Sequence, residues 1–177
     1  MDIPSSKIFV FDTSSIIKVK HLVRGQSNQQ TVFDELTQLC KYDSLTYPPK
    51  VLVELEQYPE QKADLPLIWA RKNKEKGCKF GNCFEEVKKV MNDPVARLTL
   101  DTSKPFNRQE ADPYVLATAL MVESELLGSP IVVTEETKKS PPEVPLNVAA
   151  GALDLPSINL YALLVKTNIW SSDFERY

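Results

Sequence analysis

Four consecutive apolar positions, Ile8 to Phe11, stop at a carboxylate, Asp12, and three hydroxyl residues follow. An apolar run this short with an abrupt polar end predicts a buried strand. "SSIIKVKHLV" then has helical potential, and "QQTVFDELTQLCKY" shows the helical period more plainly. Val32, Leu36 and Leu39 fall on one stripe there, with Phe33 and Cys40 beside it. "SLTYP" reads as a second short strand. Pro48 and Pro49 suit the start of a helix that runs through "KVLVELEQY" to Pro59. "LPLIWARKNKEKGCK" ends in a basic cluster, and "CFEEVKKVM" is a further helix stopped near Pro94.

A polar loop, "DTSKPFNRQE", leads into "ADPYVLATALMVESELLG", a helix with Asp112 and Pro113 at its start and Gly128 at its end. "PIVVTEE" is a short β-branched strand, and "TKKSPPEVP" is a loop. "LNVAAGALDL" reads as a short helix, "SINLY" as a last strand or strand-like turn, and "LYALLVK" as a closing helix. Strands alternate with helices, which argues for an α/β domain with a small, mostly parallel sheet.

Composition changes this picture little. The 177 residues suit one domain spanning 1–177, and 42% apolar with 25% charged residues is the mix of a packed globule. No apolar stretch has the length of a membrane span, and the first residues lack the basic start and apolar core of a signal peptide, so a cytoplasmic protein is expected. Cys40, Cys78 and Cys83 read as reduced thiols, because no second Cys/His pair accompanies Cys78 and Cys83. The single histidine, His21, weakens any histidine-based triad. A net charge of −3 excludes a globally basic nucleic-acid coat but leaves room for a local basic patch.

The acids carry the chemistry. Ligands of open α/β sheets gather beyond the carboxyl ends of the strands. Asp12 ends the first predicted strand, and Glu135 and Glu136 follow "IVVT", so all three belong to one rim. Glu54 lies three residues after Val51 and four before Tyr58, near the apolar face of its helix, whereas Glu56 points elsewhere. Glu54 either joins the rim or borders the core and reaches water or a lysine. Asp112 either joins the rim or caps its helix, and the two roles are compatible. Carboxylates packed together raise one another's pKa, and a divalent cation relieves that repulsion. An all-oxygen set without His or Cys favours Mg²⁺ or Mn²⁺.

In order along the chain, "FVFDTSSII", "VLVELE", "EADPYVLATAL" and "IVVTEE" resemble the four acidic motifs of PIN domains. The resemblance covers Lys7 to Glu136, and "VPLNVAAGALDLPSINLYALL" is similar to the C-terminal part of that family. It lies nearest to a bacterial and archaeal PIN-like group related to the ribonuclease toxins of type II toxin–antitoxin pairs. It implies a three-layer α/β/α domain and a Mg²⁺- or Mn²⁺-dependent endoribonuclease acting on single-stranded or structured RNA. It also implies a dimer, and a small antitoxin as partner if the chain is a toxin.

By motif position Asp12, Glu54, Asp112 and Glu136 would be catalytic metal ligands, with Ser14, Thr134 and Glu135 supporting them. Glu136 departs from the family's Asp or Asn by one methylene, which puts a second metal in question. Arg71, Lys72, Lys74, Lys76 and Lys79 either hold the RNA backbone or form a solvated helix end. Trp69, Phe80 and Tyr114 either stack bases or pack in the core. A haloacid-dehalogenase-type phosphatase would need a second Asp where Ser14 stands, and a receiver domain needs an acceptor Asp on a middle strand. The remaining alternative is a catalytically degenerate PIN-like module that binds RNA or protein.

Overall fold

The computed structural model describes residues 7–57, 64–81, 83–100, 110–125 and 127–174. Tyr58, Pro59 and most of the polar loop before Asp112 lie outside these residues.

Two five-residue strands form the centre of the sheet: β1 (Lys7–Phe11) and β3 (Ser129–Val133). Each has one exposed residue followed by four buried ones, the signature of a strand covered on both faces. They pair in parallel from Lys7↔Ser129 to Phe11↔Val133. Two-residue strands flank them, β2 (Leu45–Thr46) beside β1 and β4 (Ser157–Ile158) beside β3. The order is β2-β1-β3-β4 and every pairing is parallel, so the sheet is wholly parallel rather than mostly so.

The helices cover this sheet in a three-layer α/β/α arrangement. They are α1 (Thr13–Leu22), α2 (Gln26–Lys41), α3 (Pro49–Gln57), α4 (Leu65–Lys72), α5 (Lys74–Gly77), α6 (Phe84–Asn92), α7 (Asp112–Ser124), α8 (Leu146–Ala152) and α9 (Leu160–Lys166). A 3₁₀ turn at Ala96–Thr99, which the sequence pattern did not predict, packs on α8. Helix α7 lies against β1 and β3 with α6 on top of it, whereas α2 covers β2. Burial explains why α7 is central: Val115, Leu116, Ala117, Ala119 and Val122 are fully buried, so it has hardly any polar face. Among the described residues no helix is long and apolar enough to cross a membrane.

One sequence expectation changes, at Gly128, and two open points are resolved. The basic stretch is two helices, α4 and α5, separated by Asn73. The Asn73 amide is buried and donates to Trp69 O and Thr37 Oγ1, so a polar side chain marks the break. Helix α7 ends at Ser124 with Glu125 as its C-cap, so Gly128 stands beyond it, next to β3. Trp69 is a core residue: it packs on Phe33 and Tyr47 and its indole N–H donates to Thr37 Oγ1, which leaves no face for a base.

Candidate active site

The parallel register makes the carboxyl rim. The residues after β1 and β3, Asp12 and Thr134, occupy the next step of the β1–β3 ladder, and Asp12 N donates to Val133 O at 3.0 Å. Their side chains therefore meet. Thr134 Oγ1 donates to Asp12 Oδ2 at 3.1 Å, and Ser14 Oγ donates to the same oxygen at 2.5 Å. Ser14 Oγ also accepts the Glu135 backbone N–H at 3.0 Å. One serine thus ties the start of α1 to the segment after β3. Asp12 itself is 2% exposed.

Glu54 arrives from α3. Its neighbours Val51, Leu52 and Leu55 bury the helix against the core, which turns Glu54 toward α1, where Thr13 Oγ1 donates to its Oε2. Glu56 faces outward and pairs with Arg71. Asp112 comes from α7, but not as its cap. It is the first helical residue, Ala111 is the N-cap, and no side chain caps the helix. The Asp112 carboxylate instead accepts from the Lys139 ammonium at 2.7 Å. Pro113 fits because the second helical position needs no N–H donor.

A cavity of about 250 Å³ receives these groups: Asp12, Glu54, Asp112, Glu135 and Glu136 all line it, with Thr13, Ser14, Ile17, Lys18 and His21 of α1. Four separate segments of the chain therefore contribute carboxylates to one cavity. The two glutamates after β3 differ in role. Glu135 Oε1 accepts the Leu160 N–H at 2.7 Å, so it anchors the start of α9. Glu136 shares the Lys139 ammonium at 3.2 Å, and its Oε2 also lies 3.4 Å from the Leu146 N–H.

Burial and mutual repulsion act on the carboxyls in the same direction. Burial pushes Asp12 up to about 6 despite the opposing Ser14 and Thr134 hydroxyls, with Glu136 and Glu54 adding to the rise. Glu54 rises to about 7, again through burial first and then through the charges of Asp112, Glu110 and Glu136, against the Thr13 hydroxyl. Asp112 is raised by burial, Asp12 and Glu136, with Lys139 opposing. Lys139 is held charged above its usual range by Asp112 and Glu136, which outweigh its own burial.

Lys139 is the residue that sequence reasoning missed. It sits in "TKKSPPEVP", which has no period to say where a side chain points. Its only signal is a lysine three residues after Glu136.

The expected basic patch is less unified. Arg71 is paired with Glu56 and Lys79 with Asp43. Asp43 precedes β2, so the Lys79 pair lies toward the amino end of the parallel sheet, away from the acids. Lys72, Lys74 and Lys76 are exposed on α4 and α5, and none of the five lines the acidic cavity. Lys18 and His21 do, from α1, while Lys20 turns to Asp64.

A second cavity, of about 430 Å³, shares α3 and α7 with the first. Pro48 and Pro49, Phe80, Phe84, Val87, Met91, Tyr114 and Thr118 line it, with Lys88 at its edge. Lys50 Nζ lies 5.2 Å from the centre of the Tyr114 ring and Lys88 Nζ 5.6 Å from that of Phe84. Phe84 is 75% exposed. Phe80 and Tyr114 thus stand at this cavity, unlike Trp69. The thiols stay free: Cys40 and Cys83 are buried, and Cys83 Sγ rests 3.7 Å from Met121 Sδ.

The donors fit a hard divalent cation by chemistry, being carboxylate oxygens that repel one another in a buried setting. Among the described residues no three His, Cys, Asp or Glu side chains form a ready-made cage.

Fold and site together define a parallel α/β domain with a carboxylate-lined cavity at the carboxyl rim of its sheet. The chain matches the family described as "Domain of unknown function (DUF4411)" over residues 9–170, and it belongs to that family. No curated protein matches it.

Proposed function

We propose that the chain is a divalent-metal-dependent nuclease that hydrolyses phosphodiester bonds of single-stranded RNA at the acidic cavity. The observation that carries this reading is the convergence of Asp12, Glu54, Asp112 and Glu136, from four separate segments, on one cavity at the sheet's carboxyl rim. The order of the four motifs, similar to that of PIN domains, supports it.

Asp12, Glu54, Asp112 and Glu136 would hold Mg²⁺ or Mn²⁺, which when bound supplies Lewis-acid activation of water and of the phosphoryl oxygens. The chain's own groups do the rest. Ser14 and Thr134 fix the Asp12 carboxylate through Oδ2, and Thr13 fixes Glu54, so neither acid must reorganise when a substrate arrives. One of the carboxylates, when ionised, would accept the proton of the attacking water. Lys18 at the cavity wall offsets the charge of an incoming phosphate, and the His21 imidazole stands beside it as a hydrogen-bonding group. The apolar cavity beside it, with Tyr114 and Phe84 flanked by Lys50 and Lys88, offers stacking faces and cations to neighbouring nucleotides.

The test is incubation with single-stranded RNA in Mn²⁺, in Mg²⁺ and in EDTA. Cleavage is expected with either metal, is abolished by EDTA, and falls at least about 100-fold in Asp12→Asn and Asp112→Asn, the order seen when a charge-stabilising group is lost. Metal-dependent cleavage that survives both substitutions would remove the site assignment. A second reading, a binding module without catalysis, draws on the Lys139 ion pairs, in which one ammonium satisfies two of the acids without a metal. That module would bind RNA or protein and leave RNA intact in every metal.

A further inference from the structure

Lys139 is placed as a structural cation rather than as a surface lysine. Its Nζ donates to Asp112 Oδ2 at 2.7 Å and to the Thr99 carbonyl at 3.3 Å, and it pairs with Glu136 Oε2 at 3.2 Å. Two carboxylates and a carbonyl thus surround the ammonium. These partners come from three places in the chain: the 3₁₀ turn, the start of α7 and the segment after β3. The side chain is 16% exposed. Withdrawing an ammonium from water is costly unless it is paired and hydrogen-bonded, which is the case here.

The lysine divides the acids into two pairs. Asp112 and Glu136 share its charge. Asp12 and Glu54 are held by the hydroxyls of Ser14, Thr134 and Thr13, and among the described residues no lysine or arginine bonds to them. A cation relieves carboxylate repulsion whether it is a metal or an ammonium, and a lysine ammonium is a compact point charge. We infer that Lys139 is a resident cation that offsets part of the Asp112–Glu136 charge, so that the four acids together accept one divalent ion rather than two. This rests on the metal-dependent reading above. It also gives a reason for the long Glu136, since the extra methylene lets one carboxylate reach both Lys139 and the Leu146 N–H.

Two measurements test it. The first needs neither metal nor RNA: thermal unfolding in EDTA of Lys139→Met, Asp112→Asn and the double variant. Lys139→Met is expected to lower the melting temperature, and adding Asp112→Asn should recover part of the loss, because the stranded carboxylate is gone. Strictly additive effects would overturn the counter-charge role. The second is Mn²⁺ binding followed by calorimetry and electron paramagnetic resonance. One ion is expected for wild type and for Lys139→Arg, and two for Lys139→Met; Lys139→Gln replaces Lys139→Met if the latter does not fold. Two ions in wild type, or an unchanged count in the folded neutral variant, would overturn the inference. Absence of Mn²⁺ binding in all forms would overturn it together with the metal reading. One-ion binding without RNA cleavage supports the inference and removes the nuclease reading alone.

Discussion

Asp12 shows what a single position can reveal and conceal. Its place after an apolar run predicted a rim residue, and that is where it lies, but the hydroxyls bonded to it come from both sides of the rim. Ser14 is near in sequence and legible; Thr134 is 122 residues away and meets Asp12 only because β1 and β3 pair in register. Asp112 is the opposite case. Local sequence left it open as a helix cap or a rim residue, and its carboxylate lines the cavity and turns to Lys139, a charge-assisted partner stronger than a neutral helix-end N–H.

The raised acids make a pH prediction for the metal-free protein. Asp12 moves from 3.8 to about 6 and Glu54 from 4.5 to about 7, so the folded chain binds these protons more tightly than the unfolded chain does. Their contribution to stability is complete below about pH 4 and is lost as pH rises through about 6 to 7. In EDTA the melting temperature should therefore fall between about pH 5 and pH 8. Asp12→Asn with Glu54→Gln should flatten that fall. A melting temperature that rises across the same interval in EDTA, and does so equally in the double variant, would contradict the raised values.

At the level of elements, the long apolar runs were readable and the short ones were readable only by position. β1 and β3 are buried on both faces and stand out as continuous apolar segments. β2 and β4 have two residues each, too few for a period, and only their place between helices predicted them. The break at Asn73 involves a distant partner, Thr37, that local pattern does not carry. Gly77 is such a position as well. A Cβ there would lie 2.2 Å from Tyr47 Cε1, and Tyr47 is fully buried with its hydroxyl donating to Ala70 O at 2.7 Å. The ring cannot swing away without losing that bond. Gly77 O also accepts from Tyr47 N and Thr46 Oγ1, which ties α5 to the end of β2. Gly77→Ala should therefore destabilise the fold by about 1–3 kcal/mol, the usual cost of overpacking a well-packed core. Urea unfolding measures it, and a change within a few tenths of a kcal/mol would show that Tyr47 yields freely.

For the whole molecule, the arrangement of cavities matters more than the net charge of −3. The acidic cavity and the apolar cavity share α3 and α7, and Lys50 at the start of α3 reaches across to Tyr114 on α7. Tyr114 is on α7, the helix that also carries Asp112, and Phe84 lines the same cavity as Tyr114, while Arg71 and Lys79 are occupied by Glu56 and Asp43. The sequence left the basic cluster open between an RNA contact and a solvated helix end, and it named Phe80 and Tyr114 without a place; their grouping with Phe84, Lys50 and Lys88 becomes visible only once α3, α6 and α7 are brought together. The two tracks make different predictions. Stacking of one base is worth about 1–3 kcal/mol, so Tyr114→Ala should raise KM for RNA roughly 5- to 100-fold. The rate at saturation should change little, because Tyr114 bears no reacting group. Lys74→Ala with Lys76→Ala should leave KM within about 2-fold, each being an exposed charge screened by salt. Steady-state cleavage of a short RNA at fixed ionic strength separates them. If the lysine pair raises KM and Tyr114→Ala does not, RNA follows the basic helices and the apolar cavity has another use.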